Sequence, residues 1–288
     1  MTLSHTFIAV LINILWGSMF IVGTIGLSEF PPIFFTGIRF AVLAILLAGF
    51  LRIPKTILFP LLRIGIVMGI GFYLTLYLSL ALAENTGAVA VFSKLEVPLA
   101  LLLGVVLLGE RVAGKQIIGI IIALLGAALV TFDPAAFDDL PALSWMAISC
   151  LFAALGIIEV RRLGKIHPLT IVAWISLIGA PVLLATSFLF EKNHLEVLQT
   201  ATWIGWSSLL YTAFMSSVVA TSGLYYLLQR YPVAMVTPFT LLSPILAVIG
   251  GVIFLEDVLT LRLVLGGGLI LLGVTWVNRP APLPKTVI

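Results

Sequence analysis

The chain is written in long apolar runs broken by short polar joins. Ten runs of roughly spanning length occupy residues 6–26, 33–51, 64–82, 87–108, 115–132, 142–160, 169–190, 203–228, 233–255 and 261–278. A helix that crosses the hydrocarbon core of a bilayer needs about 20 mostly apolar residues. In lipid the backbone must satisfy its own hydrogen bonds, which favours helices over an open sheet. Composition decides one further point: 9% of residues are charged and 61% hydrophobic, against about 25% charged in ordinary globular chains. The expected fold class is an all-α polytopic membrane protein with ten transmembrane helices and little chain left for a soluble domain. The first run follows "MTLSH", which carries no Lys or Arg, so it reads as a retained span and not a signal peptide.

The basic residues set the orientation. With a cytoplasmic N-terminus, the inner segments hold Arg52, Lys55, Arg63, Arg111, Lys115, Arg161, Arg162, Lys165, Arg230, Arg279 and Lys285, and the outer loops hold only Lys192 and Arg262. Cytoplasmic loops carry the excess of Lys and Arg, so both termini are expected in the cytoplasm and the loop with Asp133, Asp138 and Asp139 outside. The net charge of +3 reads as this bias and not as a nucleic-acid surface. The single cysteine, Cys150, has no intramolecular disulfide partner.

The chain also repeats itself. "VPLALLLGVVLLGER" (97–111) aligns with "SPILAVIGGVIFLED" (243–257), placing Pro98 on Pro244; "GIIIALLG" (119–126) aligns with "GGGLILLG" (266–273), and Pro32 falls on Pro168. The expected units are a first repeat at 1–132, an outer linker at 133–141 and a second repeat at 142–288. Five is odd, so the second half enters the membrane from the opposite side. Such inverted-topology repeats place their binding sites near the midplane between halves.

Three charged residues fall deep inside runs, away from their ends: Arg39, Lys94 and Glu96. Each costs about 2.5–3.5 kcal/mol near the bilayer centre on insertion scales. Residues two apart on a helix point about 200° apart, so Lys94 and Glu96 face different ways. Either they line a cavity that binds a charged or zwitterionic ligand, or Glu96 forms a structural ion pair with Arg39 at matching depth. Lys94 has no second acid in view and is expected to face the cavity and take an anionic group of the ligand. Pro98 deprives the Lys94 carbonyl of its partner four residues on, and Pro244 does the same to Thr240; both prolines are hinge candidates or static kinks. Asn13 and Trp16 share a polar-aromatic stripe in the first run, Ser149 falls on Asn13 in the sixth, and Tyr77 lies near an outer end. With Thr240 and Ser243, these complete the cavity candidates; ordinary helix packing, or an aromatic belt for Tyr77, is the other reading. Glu159 is expected to pair with Arg161 or Arg162 at the inner surface. No metal-ligand cluster, nucleotide-binding loop or nucleophile–base pair appears in the sequence, so no catalytic residue, metal or cofactor is expected, nor enzyme chemistry.

"LWGSMF" (15–20), "PPIFFTGIRF" (31–40), "LLGERVAGKQIIGI" (107–120) and "YPVAMVTPFTLLSPILAV" (231–248) resemble the drug/metabolite transporter superfamily in its EamA-type branch. They run in order over nearly the whole chain, which is most similar to bacterial amino-acid and metabolite exporters of the O-acetylserine/cysteine type. The resemblance implies helices one to four and six to nine around a central cavity, with five and ten behind. "FSKLEVP" (92–98) is more charged than the family's small-polar segment, and "FLEDV" (254–258) replaces a second "GER"-like ending.

The expected function is a secondary transporter in the inner or plasma membrane. It moves a small metabolite, an amino acid or related zwitterion for preference, by alternating access as a monomer or homodimer. Proton coupling through Lys94 belongs to this expectation. The rivals are a carrier of nucleotide-sugar, cofactor or lipid-headgroup substrates, and a non-transporting scaffold or channel.

Overall fold

The computed structural model describes residues 2–53, 55–108, 114–131, 139–163, 166–228, 230 and 242–277. Every regular element among them is helical. In chain order these are α1 (Leu3–Leu27), α2 (Pro32–Leu46), α3 (Leu58–Leu82), α4 (86–108), α5 (Gly114–Thr131), α6 (Leu140–Leu163), α7 (Pro168–Phe190), α8 (203–228), α9 (Leu242–Phe254) and α10 (Leu261–Val277). A two-turn connecting helix, His194–Thr200, joins α7 to α8. Six of these helices are long and apolar enough to cross a membrane, while α2 and the apolar parts described for α5, α9 and α10 are shorter. At 1.5 Å per residue, the 15 residues of α2 rise about 22 Å, short of the ~30 Å hydrocarbon core. Its predicted end at residue 51 gives way to a 3₁₀ turn at Ala48–Phe50.

The helix starts are read directly from the sequence. Pro32 and Pro168 open α2 and α7 at the first turn, where a missing N–H costs nothing. Asn85 caps α4 by accepting from the Ala88 N–H at 2.8 Å, and Thr202 caps α8. Three helices are irregular. In α4 a 3₁₀ turn, Ser93–Leu95, separates Thr86–Phe92 from Glu96–Leu108. That turn ends three residues before Pro98 and contains Lys94, whose carbonyl the proline leaves without its partner. In α3 and α8, π-helical segments run over Gly65–Phe72 and Thr212–Thr221. π-segments recur at functional sites.

In a bilayer, small residues let helix backbones approach. A Cβ on Gly69 would stand 2.6 Å from the Ile175 carbonyl oxygen, so the π-segment of α3 lies directly on α7. The helices pair α1 with α9, α4 with α6, α2 with α7 and α5 with α10. A large apolar core runs through this bundle, including Phe35, Phe40, Leu43, Tyr77 and Leu80. The bulk of the 133–141 linker, and with it Asp133 and Asp138, lies outside the described residues, as do Thr240, Glu110, Arg111, Lys165, Arg279 and Lys285.

Candidate functional site

Arg39 lies about 10 Å along α2 from its start, among Phe35, Phe40 and Leu43, and is 0% exposed. Burying a guanidinium costs several kcal/mol unless it is compensated. Here the compensation is neutral. Nη1 donates to the Tyr77 hydroxyl of α3 at 2.8 Å, and Nη2 donates to the Ser217 hydroxyl in the π-segment of α8. The guanidinium carbon lies 4.8 Å from the Tyr73 ring centroid, 5.3 Å from that of Tyr77 and 5.6 Å from that of Phe40, and each such contact contributes about 0.5–2 kcal/mol. Nε has no hydrogen-bond partner. The Thr212 hydroxyl and Tyr225 complete the surroundings, beside Tyr77 and Tyr73 respectively.

The expected Arg39–Glu96 ion pair is therefore not formed. Arg39 points to α3 and α8, whereas Glu96 opens the second half of α4 beside α6. Tyr77, read as an aromatic-belt candidate, is fully buried and holds Arg39. Lys94 is 5% exposed in the 3₁₀ turn, and among the described residues no carboxylate pairs with it. Its neighbour is Cys150 of α6, whose thiol is within electrostatic reach of both Lys94 and Glu96. That thiol donates to the Ser93 carbonyl at 3.3 Å, on the turn that Pro98 loosens.

The remaining candidates are dispersed along the interior. Asn13 is buried; its amide donates to the Ala9 carbonyl at 2.7 Å and its Oδ1 has no partner. Trp16 packs beside Ala9, Ile12 and Leu15 of α1 and Ala220 and Leu227 of α8. Ser149 donates to the Phe72 carbonyl at the end of the first π-segment, at 3.2 Å. Ser243 is buried beside Pro244 with its hydroxyl unpartnered. Sequence reasoning missed Ser217 as a partner of the guanidinium, although the polar run "SSVVATSG" (216–223) marks its segment, and it missed Thr212 beside the Tyr77 hydroxyl.

Both ends of the bundle are laced by charges. At one, Glu159 pairs with Arg162 at 3.2 Å, as expected, and also with Arg63 of α3; Arg162 donates to the Leu107 carbonyl of α4 as well. At the other end carboxylates cap backbone N–H groups. Glu191 accepts from Ile33 and Phe34 at the start of α2, Glu29 from Thr202, Asp139 from Glu84 and Asn85, and Asp257 from Gly87. Anions are stabilised at helix N-termini. Burial nevertheless pushes the Asp139 and Asp257 carboxyls above the usual carboxylate range, the backbone hydrogen bonds opposing it. Asp257 belongs to the "FLEDV" departure and ties the α9–α10 loop to α4; Glu256 before it has a left-handed φ of 60°.

Long apolar helices around a buried cation and scattered buried hydroxyls define an integral multi-pass membrane protein. The model of the EamA-like transporter family matches residues 3–132 and again 140–279, and the chain belongs to that family, a transporter family of the drug/metabolite type. A "Probable amino-acid metabolite efflux pump" of Salmonella typhimurium is 28% identical over 276 residues, covering 93% of this chain and 92% of its own. One of the same name from Escherichia coli is 27% identical over 274 residues, covering 92% of each. A solved crystal structure shares the fold with a TM-score of 0.67 at 19% identity, over 95% of this chain and 96% of its own.

Proposed function

We propose that the protein exports a small amino acid or related zwitterion by alternating access between two inverted five-helix halves, with both termini cytoplasmic. The observation that carries this reading is the Arg39–Ser217 hydrogen bond. It joins a buried cation of the first family-matched segment to a π-segment of the second. Transporters place substrates at such repeat interfaces, beside helices with irregular backbone. Lys94, Asn13, Trp16, Ser149 and Ser243 are the further wall positions, Thr240 joins them from the sequence, and Pro98 and Pro244 are the hinges.

The inverted repeat draws support from contacts that map onto themselves when the halves are exchanged. The pair α1–α9 becomes α6–α4, α2–α7 becomes itself, and so does α5–α10. The π-segments of α3 and α8 fall at equivalent places. The names of the relatives favour an amino-acid metabolite over the nucleotide-sugar, cofactor or lipid-headgroup alternatives. Counterflow in liposomes tests the reading: saturable exchange of a labelled amino acid supports it. Flux that never saturates marks a channel, and no flux of any substrate class marks a scaffold. A pH gradient that drives accumulation would add proton coupling.

A further inference from the structure

We propose that the Arg39 guanidinium is the seat of a carboxylate carried by the transported molecule, and that the Ser217 hydroxyl holds that place when the seat is empty. The inference rests on the export reading for its premise that the bundle opens around Arg39. Among the described residues no carboxylate lies within ion-pair distance of Arg39, and the three acids outside them, Glu110, Asp133 and Asp138, follow the ends of apolar runs in the sequence. The guanidinium keeps its positive charge wherever it is placed. Its partners are two hydroxyls and the faces of aromatic rings, which spread the charge without neutralising it.

Geometry narrows the missing partner. Nε–H and Nη2 share one edge of the guanidinium, and that edge matches the two oxygens of a carboxylate. The Tyr77 hydroxyl occupies Nη1 on the other side. On the carboxylate-matching edge Nε is unpartnered and Nη2 holds only Ser217. Ser217 sits in the π-segment Thr212–Thr221, whose backbone departs from the regular α-helical ladder. Withdrawal of Ser217 with that segment frees the whole edge, while Tyr77 keeps the cation aimed. The proposal moves the anion from Lys94 to Arg39, because Lys94 and Glu96 both lie within electrostatic reach of the one Cys150 thiol, whereas among the described residues no acid lies beside Arg39.

The test reads thermal protection of the purified full-length protein in detergent by three sets of probes: L-amino acids, their carboxamides, and carboxylic acids without an amine such as lactate and benzoate. The acids are expected to bind about 10- to 100-fold more tightly than the matching carboxamides, as for hydrogen bonds between charged groups. Arg39→Lys keeps the charge but loses the fork, and is expected to erase most of that ratio; Ser217→Ala is expected to retain it. Should Arg39→Lys fail to fold, Tyr77→Phe is expected to shift affinity for acids and leave carboxamides unmoved. Equal protection by acids and carboxamides overturns the seat while leaving amino-acid export standing. Protection by lactate or benzoate but by no amino acid keeps the seat and removes the amino-acid reading. A ratio erased by Lys94→Gln and preserved in Arg39→Lys also overturns the proposal.

Discussion

Gly126 of α5 lies so close to Gly266 of α10 that a Cβ built on it would stand 2.6 Å from the Gly266 carbonyl oxygen. The relation is reciprocal, since a Cβ on Gly273 would stand 2.5 Å from the carbonyl oxygen of Gly119. These are the residues that the alignment of 119–126 with 266–273 equates. The obstruction at each is backbone, which cannot rotate aside. Gly126→Val is expected to destabilise by about 1–3 kcal/mol, the usual cost of overpacking, and to lower the melting temperature in detergent. Gly268 has open space within 4 Å, so Gly268→Ala is expected to be neutral or slightly stabilising. Equal melting of all three proteins would dissolve the α5–α10 contact.

The Arg63–Glu159–Arg162 cluster ties α3, α4 and α6 at one end. Its arginine side chains are 42% and 39% exposed, which holds the stability of each pair to about 1 kcal/mol or less. Glu159→Gln is expected to leave the melting temperature nearly unchanged while changing the counterflow rate, because under the proposed alternating access it frees an end that separates. A double-mutant cycle with Arg63→Gln measures the coupling; several kcal/mol would show a buried ion pair instead.

Asp139 and Asp257 set a pH dependence of stability. Burial raises both carboxyls, so in the window between the unfolded value near 3.8 and the raised value the folded state binds more protons than the unfolded one. Their contribution is fully present below the unfolded value and is lost as pH rises through the raised one. Wild-type melting is expected to gain from these two groups as pH falls from 7 toward 4. Asp257→Asn is expected to flatten its share of that gain. A share that instead grew with pH would reverse the assignment.

The prolines carry a kinetic expectation. The 3₁₀ turn at Ser93–Leu95 holds the Lys94 carbonyl that Pro98 leaves unpartnered, and Cys150 donates to its Ser93 carbonyl. Pro98→Ala restores the N–H that a regular helix uses, and is expected to slow transport more than it lowers ligand affinity. Equal loss of both would mark a static kink.

Orientation is open to labelling. On a Cys150→Ser background, Lys192→Cys is expected to react with a membrane-impermeant maleimide in intact cells, and Arg52→Cys only after lysis. The reverse pattern would invert the topology.

The sequence by itself determined the helices. Apolar length, prolines at helix starts and cap residues act over a few neighbouring positions, so α1, α7 and α8 are legible to within a few residues. The likeness of 119–126 to 266–273 was legible too, but that the glycines of these two stretches bring their backbones together came from the packing. Tertiary structure decided the partners of the buried charges. Depth alone left Glu96 available to Arg39, since depth is one coordinate and pairing needs three. Arg39 instead bonds Tyr77 and Ser217, which are 38 and 178 residues away in sequence. No local period carries such a separation. The packing of α2 against α3 and α8 leaves that guanidinium among neutral groups, and no pattern within one helix encodes that environment.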